Sequence, residues 1–387
     1  MTANPFAFLL LLIPSLFQIK DSPLKTHLYW EQSQFIPPAR GKSIQPGLAG
    51  AVIGVASNNL IIAGGSNFGN ALPWRGGKKL YHDEIYIMHE NDQASYKWIT
   101  SKTTLPFTLA YSGNVTISKG IVCVGGENEK GALDHAFLLS VEGQTPSIKV
   151  LPNLPYVVSS PGTTAIGSTV YVVGGLDNDG AISSFSAIDL SEQDPVWKRL
   201  PDLPVSLSHA VVVAQWHKNE QCVYVIGGRV KKGAITAFLS SVWEYTPSLK
   251  CWKLVSQIQT QAHEVLKLSA GTGVALGHNQ IIVFGGDKGI IYNQTERMIA
   301  QIDSAETDSE KQRLIQDKIS LLENHPGFYN EVLIYHADTQ FFSSVGTIHG
   351  AVQVTTTAVS WNKKVFIPGG EIKPGIRTPE VKIVSIK

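Results

Sequence analysis

Six times along the chain, a short apolar run is closed by two glycines. The runs are NLIIAGG ending at Gly65, GIVCVGG at Gly126, VYVVGG at Gly175, VYVIGG at Gly228, IIVFGG at Gly286 and VFIPGG at Gly370. Each is short and rich in β-branched residues, which reads as a buried strand rather than a helix. Small apolar stretches such as GLAGAVIGVA and SAGTGVALG precede the runs, and apolar-aromatic stretches such as DEIYIM, SSVWEYTP and NEVLIYH follow them. A bulky residue comes next, Trp98, Trp197 or Trp252, often beside a Leu-Pro turn. The glycine pairs recur 49 to 84 residues apart, and a unit of about 50 residues with four short strands predicts a propeller blade.

Six units predict an all-β, six-bladed β-propeller. With a glycine pair closing the second strand of each unit, the pattern resembles a kelch repeat. A single four-stranded sheet cannot bury both faces, whereas blades packed radially bury them against their neighbours. The last unit supplies only three strands, ending in PEVKIVSIK, while HLYWEQSQFIPPARG near the N-terminus has no blade of its own. Residues 25–38 are therefore expected to complete blade six and remove an exposed sheet edge. Between Gly286 and Gly370, Met298, Ile299, Ile302, Leu314, Ile315, Ile319, Leu321 and Leu322 recur at helical spacing, and Pro326 and Gly327 stop the pattern. This predicts a helical insertion over about 295–325, between the second and third strands of blade five. The propeller is expected to occupy residues 21–387.

Composition narrows the function. A net charge of +1 with no basic stripe argues against nucleic acid. Residues 6–17, FAFLLLLIPSLF, are too few to span a bilayer and suit the apolar core of a secretory signal over residues 1–20, which predicts a periplasmic or secreted protein without a stable membrane anchor. Cys123 and Cys222 sit inside apolar strands and read as buried small hydrophobes; with Cys251 they form no disulfide framework. No ligand spacing suggests a metal site.

In a propeller, the connections from second to third strand ring one mouth of the central channel. Residues just after the glycine pairs therefore converge, among them Asn67, Glu127, Arg229 and Glu371, with His209 arriving at the start of an inner strand. Glu127 also reads as a solvated turn residue, and His209 as a hydrogen bond across blades. Glu371 stands out because Lys373 and Arg377 accompany it across a Pro374-Gly375 turn, which folds acid and base back on one another.

GGEIKPGIRTPEV, residues 369–381, resembles a motif of the N-acetylneuraminate epimerase family, the sialic acid mutarotases. The resemblance implies an acid–base residue at Glu371 and a substrate-binding partner at Arg377. AGGSNFGNALPWRGGKKLYHDEIYI, residues 63–87, resembles the family's glycine-rich loop and adds Asn67, Arg75 and Lys79 as candidates. The glutamate motif lies in the last blade here, which suggests the cyclically permuted branch. The implied reaction exchanges the anomers of a 2-keto sugar acid by ring opening and closure. It needs a carboxyl group for proton transfer, an arginine for the substrate carboxylate, and no cofactor. A mutarotase for another sugar and a non-enzymatic kelch interaction module are the alternatives.

Overall fold

The computed structural model describes residues 26–69, 71–93 and 95–387. The expected signal over residues 1–20 lies outside the described residues. Blade one consists of Val52–Ala56, Asn59–Ala63, Ile85–Glu90 and Tyr96–Thr100, antiparallel and in chain order from the channel outwards. Blades two to five repeat the plan from inner strands Gly113–Ile117, Gly162–Ile166, Val211–His217 and Thr272–Leu276. Blade six has Val359–Trp361, Lys364–Pro368 and Glu380–Ile386, and its fourth strand comes from the N-terminus. Leu28 pairs with Ile386 and Gln34 with Val381, so the ring closes as the sequence predicts. The protein is a six-bladed β-propeller.

The glycine pairs do one job in five of the six blades. Gly64 has φ +61°, and a Cβ there would stand 2.4 Å from the carbonyl oxygen of Leu109, which lies on the way into blade two. Only a residue without a side chain allows that approach. The approach lets the next amide, Gly65 N–H, donate to the same oxygen at 2.7 Å. The equivalent bond joins Gly126 to Val158, Gly175 to Leu207, Gly228 to Leu268 and Gly370 to Leu48. Blade five, which carries the insertion, is the exception among the described residues.

The cores lie between neighbouring blades. One packs Leu60, Ile62 and Tyr86 of blade one against Trp361, Phe366 and Ile383 of blade six. The outer tryptophans are half-buried and anchored: Trp197 Nε1 donates to Pro152 O at 2.7 Å, and Trp252 Nε1 to Pro201 O at 2.8 Å. Cys123 and Cys222 are buried, and burial pushes their thiols up, Cys222 to about 12.

The insertion begins earlier than expected and is two helices, α1 (Ile290–Ser304) and α2 (Asp308–Glu323). The break is a capping signal that apolar spacing alone overlooks. Thr307 lies outside the helix, its hydroxyl accepts from Glu310 N at 3.2 Å, and Asp308 and Glu310 fill the first turn. Glu296 of α1 fastens the pair to blade four by accepting from Thr236 N and Oγ1 at 2.6 and 2.9 Å. At the far end, Glu323 of α2 receives Arg75 Nη2 at 2.7 Å and Trp74 Nε1 at 3.3 Å from the glycine-rich loop of blade one. The hairpin thus runs across the mouth from blade four to blade one.

Candidate active site

Each blade presents two residues to the mouth in a fixed way. The residue after the glycine pair bridges to a residue a few positions before the inner strand of its own blade: Ser66 to Ala49, Glu127 to Ala110, Leu176 to Ser159, Arg229 to Ser208, Asp287 to Ser269 and Glu371 to Val354. The following residues, Gly50, Tyr111, Ser160, His209, Ala270 and Thr355, all have φ between 51° and 62°. Five steps of a backbone ring join them, such as Tyr111 N to Gly50 O at 2.7 Å and Ala270 N to His209 O at 2.8 Å. Among the described residues, the step from His209 to Ser160 lacks this bond. Left-handed backbone at a non-glycine residue is costly, but here it belongs to the scaffold and marks no single residue as functional.

The structure brings Glu371 and Arg377 together. They face one another across a two-stranded hairpin, Glu371–Lys373 with Ile376–Arg377. Arg377 Nη1 lies 2.9 Å from Glu371 Oε1, and Gly375 N donates to the same oxygen at 2.7 Å. Gly375 has φ +72°, the conformation that aims its N–H at the carboxylate. Oε2 has no hydrogen-bond partner among the described residues. The arginine side chain is 5% exposed, with its guanidinium 5.2 Å from the Phe68 ring and Nη2 3.4 Å from Tyr111 Oη. Burial works against its charge, but Glu371 prevails and holds the Arg377 pKa above its ordinary value. Nη1 and Nε are buried and meet no acceptor other than the Glu371 carboxylate among the described residues.

Glu371 lines a cavity of about 450 Å³ under the helical hairpin. Arg229, Asp287 and His325 share it, and Tyr292, Leu322 and Phe328 give it an apolar wall. A narrower shaft of about 130 Å³ continues along the inner strands past His209 and Tyr111. A concave, partly apolar cavity with a few converging polar groups has the form of a small-molecule site.

A family model described as N-acetylneuraminate epimerase matches residues 18–148 and 151–387. The chain belongs to the N-acetylneuraminate epimerase family. Relatives of that name from Vibrio vulnificus, Salmonella typhimurium and Brucella melitensis are 33%, 28% and 32% identical over 124, 158 and 125 residues. Those stretches cover 28%, 40% and 31% of this chain, and 30%, 39% and 32% of the relatives. The chain thus spans about 30% to 40% of the length of these relatives.

The other candidates in this family member fall into four groups. Arg229 and His209 meet: Arg229 Nη2 lies 3.1 Å from His209 Nε2. Lys79 and Glu127 pair at 3.0 Å across blades one and two, with Tyr81 Oη donating to the same Glu127 oxygen at 2.8 Å and Lys79 Nζ 5.0 Å from the Tyr111 ring. Burial and then Glu127 push the Tyr81 hydroxyl pKa up, so it remains a donor. Asn67 and Arg75 turn away. Asn67 is buried and donates to Gly47 O at 3.0 Å, and Arg75 is half-exposed on Glu323. Lys373 stays on the Glu371 hairpin, where its charge reaches His325.

Sequence reasoning missed His325, Tyr292 and Phe68. His325 follows α2 and is buried in the cavity, with its Nδ1 accepting from Gly327 N at 3.0 Å. Burial lowers its pKa, Asp287 and Glu371 act against that, and Lys373 reinforces it. Pro326-Gly327 marked the helix end, and the histidine beside that stop was the available signal. Among the described residues, no group of three or more His, Cys, Asp or Glu is placed to hold a metal ion.

Proposed function

We propose that this chain interconverts the α and β anomers of N-acetylneuraminate or a closely similar 2-keto sugar acid. The observation that carries this reading is the state of Glu371. One carboxylate oxygen is held by an arginine and a backbone amide, the other has no hydrogen-bond partner among the described residues, and the group lines a partly open cavity.

The chemistry follows from that geometry. Oε2 of Glu371 takes the proton of the anomeric hydroxyl. As the C2–O ring bond breaks, the electrons left on the anomeric oxygen form the keto group. The ring oxygen leaves with the bond pair and takes up the proton from Glu371 directly or through water. Rotation about the neighbouring carbon–carbon bond turns the other face of the ketone to the hydroxyl, and the steps run in reverse. One proton moves between two substrate oxygens and no electrons are gained or lost, so the scheme needs no cofactor. Positioned proton transfer of this kind is worth about 10²–10⁴-fold.

The test is NMR exchange between anomers of N-acetylneuraminate, with catalytic amounts of the full chain, beside neutral aldoses. Acceleration for the sugar acid supports the reading. Acceleration only for a neutral aldose makes the chain a mutarotase of another class, and none with any sugar makes it a binding module. We also propose export, on the apolar stretch at residues 6–17. Exported material should lack about the first 20 residues by mass spectrometry, and an intact Met1 would count against it.

A further inference from the structure

The substrate's carboxylate needs a cation, and the obvious one is already engaged. Arg377 is buried, faces Glu371 at 2.9 Å, and is absent from the lining of the 450 Å³ cavity. Arg229 is the opposite case. It lines that cavity together with Glu371, and no carboxylate lies within 4 Å of it among the described residues.

What does touch Arg229 leaves its charge intact. A guanidinium only donates, so His209 Nε2 must accept from Arg229 Nη2. The imidazole proton then sits on Nδ1 and faces Ser208 Oγ at 2.9 Å, which makes His209 neutral. Burial, Arg229 and Lys79 act in the same direction and push its pKa well below the ordinary value. The second neighbour is a ring: Arg229 Cζ lies 5.0 Å from the centroid of Tyr292 on α1. Across its own hairpin stands Phe238, which packs edge-on to Tyr292. Arg229 is therefore oriented by an acceptor and an aromatic face, with most of its N–H donors uncommitted. An arginine in that state binds a carboxylate through two parallel hydrogen bonds.

We propose that Arg229, oriented by neutral His209 and Tyr292, binds the substrate carboxylate, and that Arg377 positions Glu371 rather than the substrate. This rests on the sugar-acid reading above. It assigns that site's selectivity for an acid to blade four and its proton transfer to blade six.

The experiment compares N-acetylneuraminate with its methyl ester, which keeps the ring chemistry and removes the charge. Anomer exchange by NMR and binding by calorimetry are measured on the full chain and on Arg229→Gln and Arg229→Lys, with thermal melting as the check on folding. Losing a charge-assisted contact should raise KM for the acid by roughly 10–100-fold, with Lys intermediate. The ester, already a weak ligand of the wild type, should respond little. Equal losses on acid and ester, or an unchanged KM for the acid, would overturn the assignment while leaving the mutarotase reading in place. If the wild type accelerates neither compound, the mutarotase reading fails. Calorimetry then still decides the point: acid-selective binding that disappears in Arg229→Gln supports the assignment, and its absence overturns it.

Discussion

Arg229 and Glu371 stand at the same place in two blades. Each follows a glycine pair, bridges to a residue a few positions before the inner strand of its own blade, and opens a hairpin on the mouth. The residue across the hairpin differs. Glu371 faces Arg377, and the two make an internal ion pair, whereas Arg229 faces Phe238, which cannot neutralise it. The scaffold thus fixes where a side chain starts, and the opposite hairpin position decides whether its charge is answered within the protein. An answered carboxylate is suited to moving a proton in a fixed place. An unanswered guanidinium is suited to meeting an anion from outside.

The largest effect expected from breaking this contrast is at Glu371. Glu371→Gln keeps the size and an acceptor for Gly375 N–H, but removes the proton-transfer group. Anomer exchange should fall by roughly 10²–10⁴-fold. The melting temperature should fall measurably as well, since the substitution leaves the buried Arg377 guanidinium without its counter-ion. Thermal melting and NMR exchange measured on the same sample separate the two. Retained activity would move the acid–base role to another mouth residue.

Next comes Arg377, whose loss separates positioning from substrate binding. Arg377→Ala should lower kcat by roughly tenfold or more. KM should be little changed, the loss should be the same for the acid and its methyl ester, and Lys should restore part of it. A loss confined to the acid and appearing in KM would return the carboxylate to Arg377 and collapse the division between the blades. The substitution should also destabilise measurably, because it leaves the Glu371 carboxylate without its partner.

Much of this was legible in the sequence, for a physical reason. The glycine pairs recur because a Cβ would collide with the next blade's carbonyl, so steric necessity writes the repeat into the chain. The N-terminal strand of blade six was legible because Glu380–Ile386 otherwise ends the sheet with an open edge. The Glu371–Arg377 pairing was readable because both residues lie on one short hairpin. The Arg229–His209 contact joins residues 20 apart through tertiary packing, and Tyr292 arrives from an insertion in another blade, so no local pattern announced it. The split of the insertion was written in Thr307 and Glu310, as a cap rather than as apolar spacing.

A milder change sharpens the blade-six side. Gly375→Ala puts a side chain at φ +72°, with its Cβ 3.0 Å from Pro73 Cδ. Left-handed backbone at alanine costs about 1–2 kcal/mol. The relaxation should draw the amide away from Glu371 Oε1, and a severalfold fall in kcat on acid and ester alike is expected. An unchanged kcat would show that the amide is dispensable for placing the carboxylate.

The smallest effect concerns the blade-four side and is read in stability, through the proton count of His209. In the folded protein His209 is neutral, with its pKa pushed well below 6.5 by burial, then by Arg229 and Lys79. The unfolded chain protonates this histidine as the pH falls through 6.5. Below that pH the unfolded state binds the extra proton and the folded state does not, so stability falls with pH, approaching about 1.4 kcal/mol per pH unit from this residue. Above it, both states are neutral and the contribution vanishes. His209→Gln keeps a side-chain acceptor for Arg229 but does not titrate. Urea unfolding at pH 7.5 and 5.5 should therefore show the wild type losing more stability on acidification than the variant, by about 1 kcal/mol. His325 and His336, whose pKa values burial also lowers, contribute equally to both proteins and cancel. The same acid slope in both would mean that His209 carries its proton in the fold. Nε2 could then not accept from Arg229, and the guanidinium would lose the contact that orients it towards a carboxylate.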